Sequence, residues 1–238
     1  RDMLGEGTPR PVRVEREDTA VLLYTGGTTG VSKGVELSHR NLLVNTEQNR
    51  LWAGIRDGVE VSLAAVPLFH GFGLTCCLHL GLRTGATILL VPNPADTAGL
   101  IQTIERLRPT IFPVVPTFLI AIAGYPGIER RDLRSLRVCP CAGSPLAPAV
   151  QRTFIERTGV RPVEGYGLTE AGPVTHGNPP FGDDRHGTIG LPYPGTEARV
   201  VDFETGKLDM PFEGEWTRPG EIIVRGPQVM KGYWQRPE

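Results

Sequence analysis

Short β-branched runs alternate with stretches of helical period along most of the chain. Ala20–Tyr24 reads as a buried strand that runs into a Gly/Thr-rich loop. Ser38 is the natural N-cap of a helix running past Trp52. Val61–Val66 is the next strand, Leu74–Leu82 is helical, and Thr87–Val91 is again a strand. Asp96 caps a helix whose Leu100, Ile101, Ile104 and Leu107 share one face. The longest apolar stretch, Ile111 to Ala123, contains Pro113 and Pro116 and reads as a strand, Thr110–Val115, running into a short helix. Leu136–Cys141 is the next strand. It leads through Gly143, Ser144 and Pro145 into a helix with Val150, Phe154 and Ile155 inward and Gly159 as C-cap. Ser144 can cap that helix and Pro145 can open it. Strand and helix in this rhythm require crossover connections, hence an α/β fold: a layered, mostly parallel sheet with flanking helices. Gly187–Gly195 is turn-rich, and Ala198–Phe203 and Glu221–Arg225 read as antiparallel strands. The chain therefore divides near Gly187 into an α/β part, residues 1–186, and a small β-rich subdomain, residues 187–238.

Composition narrows the function classes. Apolar residues make up 39% of the 238 and charged residues 21%, which supports a packed core and excludes a disordered chain. Lys and Arg number 25 against 26 Asp and Glu, so the net charge of -1 argues against a protein that coats nucleic acid or an anionic membrane. Only Lys33, Lys207 and Lys231 are lysines, a bias better ascribed to coding than to chemistry. Cys76, Cys77, Cys139 and Cys141 form neither a disulfide framework nor a C-x-x-C pair. His70 and His79 beside the first pair do not repeat at a zinc-finger spacing, so buried thiols in a reducing cytosol are expected. No signal peptide is expected, and the longest apolar stretch is too short to cross a bilayer. The expected location is cytoplasmic, with the parent protein peripheral to a membrane at most.

Chemistry concentrates in the loop after the first strand. Tyr24–Gly34 contains Gly26, Gly27, Gly30 and Gly34, with Thr25, Thr28 and Thr29 among them and Lys33 near the end. Glycines let the backbone turn tightly and present its N–H groups; the hydroxyls and the ammonium add donors and charge. Such a loop suits phosphate oxygens. It is not a Walker A loop, because Ser32 precedes Lys33 and Gly34 follows it.

This stretch resembles the phosphate loop of the adenylate-forming superfamily, which includes acyl-CoA synthetases, peptide-synthetase adenylation domains and luciferase-like enzymes. It departs from the family pattern at Gly26, where serine is usual, and at Ser32, where proline is usual. Four further stretches follow in family order. Pro67–Gly73 resembles the Pro-Leu-Phe-His segment of acyl-CoA synthetases, which implies His70 beside the reacting carboxylate. Ala142–Leu146 resembles a segment lining the adenine and acyl pockets; taken alone it is an ordinary helix start. Gly165–Glu170 resembles the Tyr-Gly-x-Thr-Glu signature; taken alone, a surface turn with an incidental glutamate explains it equally well. Gly220–Trp234 resembles a structural segment and receives no catalytic role. The variant forms look most like bacterial long-chain fatty-acid–CoA ligases. No acidic residue lies between Glu60 and Asp96, where amino-acid-activating relatives place an aspartate, so a plain carboxylic acid is the favoured substrate.

The resemblance implies a two-step reaction with ATP, Mg²⁺ and coenzyme A: a fatty acid forms an acyl-adenylate, and a thiol then takes the acyl group. It implies that Thr25, Gly26, Gly27, Thr28, Thr29, Gly30 and Lys33 hold the outer phosphates. Gly143, Ser144, Pro145, Gly165, Tyr166 and Gly167 frame the nucleotide, with Glu164 accepting from the adenine amino group. Thr169 and Glu170 manage the α-phosphate, Glu170 through Mg²⁺. The family's ribose-binding aspartate, its hinge and its C-terminal domain with a catalytic lysine have no match here, nor does its stretch before the phosphate loop. The chain thus reads as a truncated part of the acyl-CoA synthetase-like N-terminal domain, inactive when isolated and prone to self-association. Loading of a carrier protein instead of coenzyme A, or a non-catalytic nucleotide-binding module, stays open.

Overall fold

The computed structural model describes residues 12–26, 32–183, 185–206, 212–213, 216–217 and 219–236. The chain opens with an antiparallel hairpin, β1 (Thr19–Thr25) and β2 (Lys33–Ser38), in which Thr25 pairs with Lys33. The stretch read as a continuing loop at Lys33 is therefore a second strand. Its neighbour β1 is only partly covered, with Tyr24 68% exposed, so the expectation of a buried first strand is corrected. Ser38 does cap α1 (His39–Trp52): its side chain accepts from the Asn41 N–H, and Asn41 Oδ1 accepts from the Ser38 N–H.

The parallel sheet follows. β3 (Val61–Ala64) and β4 (Thr87–Leu90) pair in parallel. Between them run a short helix α2 (Gly71–Gly73), a wider π-helical turn over Leu74–His79, and α3 (Leu80–Thr84). Asp96 caps α4 (Thr97–Leu107) through the Gly99 N–H; Leu100, Ile101 and Ile104 are buried, whereas Leu107 in the last turn is 41% exposed. The expected strand Thr110–Val115 is reduced to parallel bridges at Ile111 and Val114. Pro113 lies between them and has no N–H to offer a ladder. These bridges seat the segment between β3 and β5 (Cys139–Cys141), and α5 (Pro116–Ala123) leaves from it. α6 (Pro148–Thr158) ends in Gly159 at φ 72°, as expected, but starts later than expected, with Ala147 as its cap. β6 (Pro162–Gly167) runs parallel to β5; β7 (Val174–Gly177) and β8 (Leu191–Pro192) continue the sheet antiparallel.

Side chains alternate across this sheet, which places apolar layers on both faces. Leu63, Phe112, Val114 and Cys139 pack with Leu100, Ile104, Leu119 and Phe154 of α4, α5 and α6. Ile111 and Val138 pack on the other side with Leu80 and Ile55. The remaining strands are antiparallel: β9 (Glu197–Val201), a short pair β10 (Phe212–Glu213) and β11 (Trp216–Thr217), β12 (Glu221–Arg225) against β9, and β13 (Gly232–Tyr233). β13 returns to pair with β2 at Glu36 and Val35. Among the described residues no helix is long and apolar enough to cross a membrane.

Candidate functional site

β1 and β2 carry the two ends of the Gly/Thr stretch, with Thr25 paired to Lys33. Gly26 is exposed, and a side chain there would meet nothing within 4 Å. Gly27, Thr28, Thr29 and Gly30 lie outside the described residues.

The end of β6 shapes the next part. Its pairing with β7 shifts between Tyr166 and Gly167. A Cβ at Gly167 would lie 2.0 Å from the Pro173 carbonyl oxygen, so the backbone approaches as only glycine permits. The Leu168 N–H donates to that same oxygen at 2.9 Å. The chain then turns through a 3-10 segment, Thr169–Ala171. The result is a cleft of about 150 Å³ lined by His70, Phe72, Gly143, Tyr166, Gly167 and Thr169 among others. Three separate sequence stretches thus meet: those after β3 and β5, and the end of β6 with the turn beyond it.

Each wall has a local cause. His70 is exposed and caps α2: its Nδ1 accepts from the Phe72 N–H at 3.2 Å. A neutral imidazole that accepts at Nδ1 carries its proton on Nε2, which is left as a donor. Gly143 sits at φ 87°, a left-handed conformation that turns the chain away from β5. The Tyr166 ring meets His176 edge-on, with centroids 6.1 Å apart. His176 is 5% exposed, and burial lowers its pKa, so it serves as a neutral wall at pH 7. Among the described residues the Thr169 hydroxyl has no partner.

Four expected residues stand elsewhere. Ser144 and Pro145 are exposed but do not line the cleft. Glu164, expected at the adenine amino group, does not line it either. It is buried, and its Oε1 accepts from the Leu146 N–H at 3.0 Å. Ala147, which directly precedes Pro148, is extended at φ -59° and ψ 130°, as a residue before proline prefers, so α6 begins at Pro148 rather than at Pro145. Glu164 and Gly165 instead border a small apolar cavity of about 30 Å³ with Trp52, Cys76 and Tyr193.

Glu170 and Lys33 flank a residue that sequence reasoning missed. The Tyr233 hydroxyl donates to Glu170 Oε1 at 2.7 Å, and Lys33 Nζ lies 4.9 Å from the centroid of the Tyr233 ring. The hydrogen bond to Glu170 raises the Tyr233 pKa, so the hydroxyl stays protonated and donating. No local pattern around Gly232-Tyr233-Trp234 announces a partner 63 positions earlier.

A family model described as AMP-binding enzyme matches residues 2–234. The chain belongs to the AMP-binding enzyme family. It is 44% identical over 224 residues to a long-chain-fatty-acid–CoA ligase of Bacillus subtilis and 41% identical to one of Escherichia coli O157:H7, covering 93% of this chain and 39% of each relative. The chain therefore spans about two fifths of the length of these relatives. Among solved structures, apo MatB from Rhodopseudomonas palustris superposes with a TM-score of 0.86 at 31% identity, over 97% of this chain and 44% of that one. An anthranilate–CoA ligase in complex with anthranoyl-AMP superposes with a TM-score of 0.84 at 30% identity, over 96% of this chain and 43% of that one. The fold is thus that of the adenylate-forming ligases' N-terminal domain.

The residues fit a nucleotide with a divalent cation. Among the described residues no three His, Cys, Asp or Glu side chains converge into a metal cage. Mg²⁺ takes one or two carboxylates and completes its shell with phosphate oxygens and water. Glu170 offers such a carboxylate: Oε1 is held by Tyr233, and among the described residues Oε2 has no donor.

Proposed function

We propose that this chain is the nucleotide-binding part of a ligase that activates a fatty acid with ATP and passes the acyl group to coenzyme A. The observation that carries the reading is the convergence of His70, Gly143, Tyr166 and Thr169 on one cleft, with Lys33 and Glu170 joined through Tyr233 beside it. The 44% identity to a long-chain-fatty-acid–CoA ligase supports the acid class.

In this reading a substrate carboxylate oxygen attacks the α-phosphorus of ATP, and the bond to the bridging oxygen breaks to release pyrophosphate. The carboxylate is already nucleophilic, so the protein needs no base; it must orient the reactants and stabilise charge. Tyr166 offers a ring face to adenine and Gly143 an unobstructed backbone. Thr169 donates its free hydroxyl to the α-phosphate. His70 donates from Nε2 to the acid's carboxylate and orients it. Lys33 and the Gly/Thr stretch Thr25–Gly30 take the outer phosphates. Bound Mg²⁺, held by Glu170, would offset phosphate charge as the bridging bond breaks. A thiol then displaces AMP from the acyl-adenylate.

The test is ATP–pyrophosphate exchange by the complete gene product that carries this chain, with long-chain, short-chain and aromatic acids. Exchange that depends on a long-chain acid supports the reading. Exchange with aromatic acids alone, or none with any acid, overturns it. The isolated 238-residue chain, which matches only 39% of its long-chain relatives, is expected to bind ATP weakly without measurable exchange.

A further inference from the structure

We propose that Tyr233 is a positioning residue: its hydroxyl sets the Glu170 carboxylate while its ring seats the Lys33 ammonium, so one side chain fixes the spacing of cation and carboxylate. The inference rests on the nucleotide-binding reading above and goes beyond it, because neither Lys33 nor Glu170 touches the other directly in the described structure.

The arrangement is built from the backbone upward. β13 pairs with β2, and the Trp234 N–H donates to the Gly34 carbonyl at 2.8 Å, which locks Tyr233 next to the strand that starts at Lys33. The Met230 N–H donates to the Glu170 carbonyl at 2.8 Å, which ties the same segment to the turn after β6. From α1, Asn41 Nδ2 donates to the carbonyls of Pro227 and Val229 at 2.9 and 2.8 Å and anchors the segment's entry. Tyr233 is thus held from three directions before its side chain does anything. Its hydroxyl and ring face then act on two different charged groups. A carboxylate held at one oxygen presents the other in a fixed direction, which lowers the ordering cost of taking a cation. An ammonium over a tyrosine ring is favoured by the ring quadrupole and keeps its N–H donors free.

The test uses the complete gene product. Binding of ATP is measured by titration calorimetry with excess Mg²⁺ and again in EDTA, for wild type, Y233F, Y233L, E170Q and the double variant Y233F/E170Q. Y233F keeps the ring and loses the hydroxyl, and is expected to weaken ATP binding about tenfold with Mg²⁺ and less than about twofold in EDTA. Y233L loses the ring as well and is expected to weaken binding in both conditions. In the E170Q background Y233F should add little. Unliganded melting temperatures separate these effects from stability, and Y233F should melt within about 2 °C of wild type. Unchanged Mg²⁺-dependent binding in Y233F overturns the proposal, as does an equal loss with and without Mg²⁺. Wild-type protein that binds no ATP at all would instead overturn the nucleotide-binding reading itself, which the wild-type titration reports separately.

Discussion

The Lys33 ammonium lies over the Tyr233 ring, and among the described residues it forms no ion pair. That arrangement supports a prediction at the residue scale. K33A should lower acid-dependent pyrophosphate exchange by more than tenfold, while urea unfolding shifts by less than about 1 kcal/mol, because a half-exposed cation–π contact is worth little to stability. Equal losses in the two measurements would make the lysine structural. The cysteines invite a second prediction. All four are buried; burial pushes Cys77 and Cys141 up to about 12 and raises Cys76 and Cys139 well above the ordinary value. At pH 8 native protein should therefore leave Ellman's reagent almost unreacted, and all four thiols should titrate once urea is added. Rapid reaction of a native thiol would contradict the burial. At this same scale the lining of the cleft was legible where a residue belongs to a contiguous motif that follows a strand. His70, Gly143, Tyr166 and Thr169 are of that kind. Glu164 and Tyr233 were not legible, because their partners, Leu146 and Glu170, lie 18 and 63 positions away and no spacing rule connects them.

Elements were legible where a cap or breaker marks them. Ser38, Asp96 and Gly159 bound their helices as read. β2 was missed for a physical reason: Lys33–Ser38 alternates buried apolar with polar residues, yet Gly34 and the preceding glycines look like loop, and only the hairpin with β1 and the later pairing with β13 make it a strand. α1 carries a less usual feature. Its buried residues include Asn41, Asn45, Thr46, Gln48 and Asn49, so this helix docks through polar side chains rather than an apolar stripe. Asn45 donates to the Val174 carbonyl at 2.7 Å and accepts from the Val174 N–H at 3.1 Å, satisfying the start of β7 where its pairing with β8 does not reach. Gln48 donates to Pro194 at 2.8 Å. Buried amides are costly when a partner is lost. N45A should therefore destabilise the chain by about 2–4 kcal/mol in urea unfolding, and N45D, which would set a buried carboxylate against the Val174 carbonyl and Gln48 Oε1, should cost at least as much. An N45A effect below about 0.5 kcal/mol would mean that water replaces the amide without loss.

At the scale of the whole molecule, three sheet segments and one loop meet at Glu60. Its side chain is fully buried at the start of β3. It accepts from Thr110 Oγ1 at 2.5 Å, from Arg56 Nε at 3.0 Å, and from Arg137, which also donates to the Gly54 carbonyl at 3.2 Å. These contacts join β3, the segment 110–114 and the approach to β5, the order in which the parallel sheet is assembled. Burial alone would raise the Glu60 pKa; the bonds from Thr110 and Arg56 and the charge of Arg137 outweigh it and hold the carboxyl below 4.5. A carboxyl with a lowered folded pKa stabilises fully above its unfolded value, and that contribution fades as pH falls through the folded pKa. Glu36, Glu47, Glu105 and Glu129 are held low in the same direction by their own partners. Stability should therefore be flat above about pH 5.5 and fall steadily toward pH 3. E60Q isolates the buried share. It should cost about 3 kcal/mol at pH 7, because Arg137 loses its charge partner in a buried setting. The gap between E60Q and wild type should narrow below the ordinary carboxyl value of 4.5, where unfolded Glu60 takes up a proton that the folded one resists. Urea unfolding of both proteins from pH 7 to pH 3.5 measures that gap directly. A gap that stays constant to pH 3.5 would show that Glu60 holds the sheet by shape and hydrogen bonding, with its charge contributing nothing.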